Sequence, residues 1–202
     1  MSKLSWSDQL LSYSENFLKL AEETFVYTFV PASGLKSVQE KGLLSAAKLI
    51  QDPEALEAAK PKASGKFVKD ITEKLADPEW TSIVQGVSAF FTLPDWNKLE
   101  KNHFIFKNQL VPIRINVSKL IRRFPKTKFF GLEMIPSTAP EAQQKYRERA
   151  LTLKEVDRWA SKSPSMVWQH YDNPKNDKYA PDVPHLIILT PSQTIPPGCL
   201  DL

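Results

Sequence analysis

Three histidines, His103, His170 and His185, are the side chains of this chain suited to acid–base work near neutral pH. None stands in a His-x-His or His-x-x-x-His spacing, and Cys199 is the single cysteine, so no short zinc-ligand pattern is present. A histidine-dependent cleavage of RNA would need the fold to bring two of them together. Phosphates would find their attraction in the stretch Lys101–Lys128. Its basic residues are Lys101, Lys107, Arg114, Lys119, Arg122, Arg123, Lys126 and Lys128, and no acidic residue interrupts the chain from Lys101 to Leu132. The same run also reads as a solvated basic face balanced by acidic helices earlier in the chain. Trp168-Gln-His-Tyr171 offers rings that can stack on a base, or can equally form a packed turn. Glycine-rich phosphate loops and nucleophile-elbow patterns are absent from the sequence.

Elements that would position such residues follow from periodicity. Leu10, Leu11, Ser14, Phe17, Leu18 and Ala21 share one helical face, which predicts a helix over residues 7–21. Thr24 to Val30 is β-branched and aromatic and is stopped by Pro31, as in a buried strand. Ser33 is suited to cap the helix that follows, with Leu35 and Val38 inward and Gly42 at its exit. Residues 46–77 read as helical pieces around a loop at 60–65. Gly86–Thr92, Leu110–Val117, Lys128–Ile135 and His185–Thr190 read as strands. Pro112 suggests an edge position or a strand start, because proline lacks a donor. Pro94-Asp95 opens a short helix, Pro140–Ala160 reads as a charged helix, and Tyr171–Pro184 as a surface loop.

The chain has 202 residues and a net charge of +4, which suits one α+β domain with a sizeable core. The expected arrangement is a single domain over 1–202, its first helix packed on a core of residues 24–202. No run of about 18 apolar residues suggests a membrane span, and Met1-Ser-Lys-Leu-Ser-Trp6 does not resemble a secretory signal. The expected setting is cytoplasmic, or that of an effector delivered without a classical signal peptide.

Three patches resemble the ADP-ribosyltransferase-like superfamily. Val26-Tyr-Thr-Phe-Val-Pro-Ala-Ser-Gly-Leu-Lys-Ser-Val-Gln-Glu-Lys-Gly-Leu-Leu44 is similar to the family's opening strand, helix and Gly-Leu turn. Gly86-Val-Ser-Ala-Phe-Phe-Thr92 resembles its second strand. Leu186-Ile-Ile-Leu-Thr190 with Ile195-Pro-Pro resembles the ending of the RNA 2′-phosphotransferase and DNA-modifying toxin branches. Together they cover a quarter to a third of the chain. The resemblance implies split mixed or antiparallel β-sheets with flanking helices, and a cleft that bends NAD as substrate. It further implies transfer of ADP-ribose to a protein or nucleic acid.

On that resemblance Thr28 stands where the family places its ribose-holding histidine, and Phe90 or Phe91 where a ring packs on nicotinamide. Glu133 becomes the candidate carboxylate for the ribose 2′-hydroxyl, and His185 a second polar candidate. Tyr27, Ser33, Phe91 and Arg114 become candidate NAD contacts. A threonine can hydrogen-bond a ribose but supplies no charge, so a decayed nucleotide- or partner-binding module of the same fold is the competing expectation. Each residue also has a plainer role. Tyr27 and Thr28 are good strand formers, Phe90 and Phe91 suit a core, Glu133 can face solvent, and His185 can be a satisfied histidine.

Overall fold

Alternation of apolar side chains in the strands, and glycines where two backbones must nearly touch, generate an α+β architecture of small antiparallel sheets. The computed structural model describes residues 23–59, 64–78, 80–94, 96–99, 101, 104–135, 145–162 and 185–202. The expected helix 7–21, the loop 171–184, His103, His170 and Trp168–Tyr171 lie outside them.

Strand β1 (Phe25–Pro31) pairs with β4 (Leu110–Asn116), which also pairs with β9 (Leu200–Asp201). A second sheet has the order β3 (Val87–Ala89), β7 (His185–Leu189), β5 (Lys128–Ile135), β6 (Lys145–Ala150). A short third sheet joins β2 (Leu43–Leu44) to β8 (Thr194–Ile195). Pro112 lies opposite Phe29, clear of the two β4 residues, Arg114 and Ile115, that pair with β9. Its missing donor therefore disturbs no ladder to β9.

Helices α1 (Leu35–Lys41), α2 (Ala46–Leu49), α3 (Pro53–Ala59), α4 (Ser64–Ala76) and α5 (Thr81–Gln85) fill the stretch between β1 and β3. The short α6 (Phe104–Lys107) precedes β4, α7 (Val117–Arg123) follows it, and α8 (Leu153–Ala160) follows β6. Side-chain caps set several of these starts. Asn116 Oδ1 accepts from Lys119 N–H at 2.8 Å, and Thr152 and Glu155 form a reciprocal capping box.

Several elements differ from the sequence reading. Ser33 caps nothing: the N-cap of α1 is Gly34, and the Ser33 hydroxyl donates to the Ala58 carbonyl at 2.6 Å. The charged helix expected over Pro140–Ala160 is confined to Leu153–Ala160, because Lys145–Ala150 instead pairs along β5. Charged residues suit an outer strand as well as a helix, and pairing decides between them. The helix expected at Pro94-Asp95 is a single 3-10 turn at Trp96–Lys98. The strand expected over Gly86–Thr92 is shortened to Val87–Ala89, with Phe90 continuing it as an isolated bridge.

The core gathers under both main sheets. Phe91, Phe129, Ile113, Ile115, Leu153 and Leu186 are almost wholly excluded from water, each side chain stabilising the fold by roughly 1.5–3 kcal/mol. Thr24 Oγ1 donates to Asp157 Oδ1 and so ties α8 to the start of β1.

Two local features carry testable consequences. Gly42 leaves α1 at φ 82° and ψ −171°, a region open to glycine alone. A Cβ there would stand 2.2 Å from the Ile195 carbonyl oxygen. Gly42→Ala is expected to destabilise the protein by at least about 1–3 kcal/mol, read as a lowered urea midpoint. Near it, Lys41 Nζ lies 2.9 Å from Asp52 Oδ2 and 2.9 Å from Glu54 Oε2. The Ala55 N–H, and then the Lys41 ammonium, hold the Asp52 carboxyl below its ordinary range. Because its folded pKa is depressed, the stabilisation is present above the ordinary carboxylate pKa and is lost as pH falls through the lowered value. The stability gap between wild type and Asp52→Asn is expected to be open at neutral pH. It should close in acid well below the ordinary value of about 4; a gap unchanged by acid would count against this account.

Candidate functional site

The two main sheets meet through one backbone bridge among the described residues. Tyr27 N–H donates to the Phe90 carbonyl at 2.8 Å, and Phe90 N–H donates to the Tyr27 carbonyl at 2.6 Å. From this bridge the strand registers draw a transverse line across the molecule. Asp201 pairs with Arg114, and Arg114 with Tyr27. On the other side, the β3–β7 register continued by one residue sets His185 level with Phe90. His185 pairs with Leu132, and Leu132 with Glu148. Thr28, Phe91 and Glu133 each follow a residue on this line directly in sequence. Every site residue expected from the sequence is therefore on the line or next to it, except Ser33, which sits on the 3-10 turn Ala32–Gly34 against α3.

Successive strand residues point to opposite faces, and this divides the group. Val26 and Thr28 are buried with Ile113 and Ile115 on the inner face. Phe25, Tyr27 and Phe29 are half-buried on the outer face, level with Asn116, Arg114 and Pro112. Thr28 and Tyr27 thus cannot grip one ligand from the same side of β1. The Thr28 hydroxyl, moreover, donates to the Ser88 carbonyl at 2.8 Å, so it stitches β1 to β3 beside the bridge.

Phe91 belongs to the inner side. It is fully buried and stacked on Trp159, with ring centroids 5.7 Å apart and planes at 29°. Phe90 is also buried, and its ring stands edge-on to Phe29 at 5.7 Å. Arg114 is engaged twice. Its Nη2 and Nε lie 2.8 and 3.0 Å from Asp201 Oδ2, and its guanidinium rests 4.2 Å from the centre of the Phe25 ring. With both partners of the ion pair substantially exposed, the pair contributes about 0–1 kcal/mol, which leaves Arg114 exchangeable toward an anionic ligand. Glu133 and His185 are placed by their backbones, Glu133 opposite Arg147 and His185 opposite Leu132.

Among the described residues no cluster of three or more His, Cys, Asp or Glu side chains is arranged to hold a metal ion. Cys199 is buried, which raises its thiol pKa against the opposing pull of Arg123 and Lys119. Such a thiol is inert as a nucleophile. Burial likewise lowers the ammonium pKa of Lys128 from its ordinary value.

Sequence reasoning did not single out Phe25, Phe29, Trp96 and Phe106. The signal was present as aromatic residues at alternate positions 25, 27 and 29, which a strand must place on one face.

The Thr28–Ser88 bond has a direct test. Thr28→Val keeps the shape and removes the donor, leaving the Ser88 carbonyl without it. A loss of about 0.5–1.5 kcal/mol is expected in urea unfolding; an unchanged midpoint would mean that the bond contributes nothing to the junction. No helix of the described residues is long and apolar enough to cross a membrane. No family model matches the chain, and no curated protein or solved structure matches it either, so the site is characterised by its own geometry.

Proposed function

We propose that this chain is an ADP-ribosyltransferase-like protein that takes NAD at the junction of its two main sheets, with Glu133 as its catalytic carboxylate. The supporting observation is that Arg114, Tyr27 and Phe90, far apart in sequence, are paired in one row, with His185 level with Phe90 by continuation of the β3–β7 register. Two antiparallel sheets joined at a narrow bridge also suit a split-sheet architecture. In this reading the Glu133 carboxylate orients the ribose 2′-hydroxyl and stabilises positive charge as the glycosidic bond to nicotinamide breaks. Nicotinamide leaves with the bonding electron pair, and a nucleophile on the target takes its place at the ribose carbon. The contribution is electrostatic and positional.

A second reading is favoured by one observation. Thr28, at the position of the family's histidine, uses its hydroxyl to close the β1–β3 junction. A module that binds the nucleotide without turnover fits that arrangement.

NAD titration by calorimetry, paired with an assay for released nicotinamide, separates the two. The transferase reading expects both binding and release, with kcat lowered roughly a hundred- to a thousand-fold in Glu133→Gln. Binding without release in any cell extract would leave the non-catalytic module. Absence of binding would sink both.

A further inference from the structure

Beyond any use of NAD, we infer that the outer face of β1 is a stacking surface for single-stranded nucleic acid. Three aromatic residues, Phe25, Tyr27 and Phe29, alternate along the strand and share its outer face. Alternate strand residues are spaced about 7 Å apart, so these rings form a ladder rather than a clump. The ladder continues past the end of the strand. Trp96 meets Phe29 edge-on, with centroids 6.3 Å apart and planes at 79°, and Phe106 leans on Trp96 at 6.2 Å and 48°. Trp96 is 39% and Phe106 44% exposed, and with Leu202 they are the large apolar side chains most open to water among the described residues.

Partly exposed rings in a row offer area for stacking, and the surrounding charge selects what stacks there. Lys107 follows Phe106 directly on α6 and is exposed. Beyond β4, exposed Lys119, Arg123 and Lys126 continue the positive charge. None of these four cations stands in an ion pair among the described residues. Lys119 and Arg123 are even held four residues apart on one helix, an arrangement that repels unless an anion lies between or beside them. The seven residues of β4 separate α6 from α7 by about 20 Å, so the cations stand at the two ends of the β1–β4 pair. Aromatic rings that take any base, beside cations that take phosphates, are the recognition chemistry of an unpaired nucleic-acid strand. A duplex keeps its bases stacked inside and has no use for the rings.

Fluorescence anisotropy of a labelled oligo(dT) on the full chain tests this, with the same sequence as a duplex and heparin as competitors. Oligo(dT) should be bound in preference to duplex. Trp96→Ala and Phe106→Ala should each weaken binding about five- to a hundred-fold while a cooperative urea transition shows that the fold is kept. Lys107→Gln, which leaves every ring in place, should flatten the slope of log affinity against log salt by about one contact. Equal affinity for duplex and heparin, unaltered by the ring variants, would reduce the surface to a general anion patch and overturn the inference. So would capture by a poly-glutamate peptide in preference to oligo(dT). NAD binding without oligonucleotide binding removes this inference alone; oligonucleotide binding without NAD binding removes only the proposed function.

Discussion

Two hydrogen bonds between Tyr27 and Phe90 set the relation of the two main sheets. Among the described residues β1 otherwise pairs only with β4, and β3 only with β7, so the backbone pairing between the two sheets narrows to this bridge. Its net energy is small, about 0.5–1.5 kcal/mol per bond, and the core beneath contributes far more. What the bridge supplies is register. A slip of one residue would carry Phe25, Tyr27 and Phe29 inward and turn Val26 and Thr28 out to solvent. The Thr28 hydroxyl on the Ser88 carbonyl guards against that slip, because its reach fixes which β3 residue stands beside β1.

The bridge also separates two chemistries on one strand. Inward, Phe91 stacks on Trp159, and the Lys162 ammonium lies 3.5 Å from the centre of the Trp159 ring, so the inner side of the junction is filled. Outward, the aromatic ladder and Arg114 remain accessible in part. Rigid packing beneath and exposed rings above is a sound arrangement for a surface that must hold its shape while a ligand comes and goes.

Strands with strong β-branched or aromatic character were legible in the sequence. Thr24–Val30, Leu110–Val117, Lys128–Ile135 and His185–Thr190, read from composition and turn signals, each match an observed strand to within a residue at either end. Lys145–Ala150 was not legible, since its charged residues carry a helical pattern and become a strand only through the neighbouring Phe130–Ile135 edge. Ser33 failed as a cap for a related reason. The chain enters a 3-10 turn before the α-helix, and this moves the cap to Gly34 and frees the hydroxyl for Ala58. The line through Tyr27 and Phe90 could not be read at all, because it depends on pairings between residues far apart in the chain. The outer aromatic ladder was legible, because alternation at 25, 27 and 29 puts three rings on one face of any strand.

β3 has a kinetic consequence. Among the described residues its three residues find their ladder partner only in β7, roughly a hundred residues later. On a growing chain Val87–Ala89 emerges long before Leu186–Ile188, so this short apolar strand must wait unpaired on one side while synthesis continues. Closing so long a loop is slow, and the interval exposes a strand edge that neighbouring chains can capture. The fold thus carries its aggregation hazard at the moment of its birth, in the same strand that later joins its two halves.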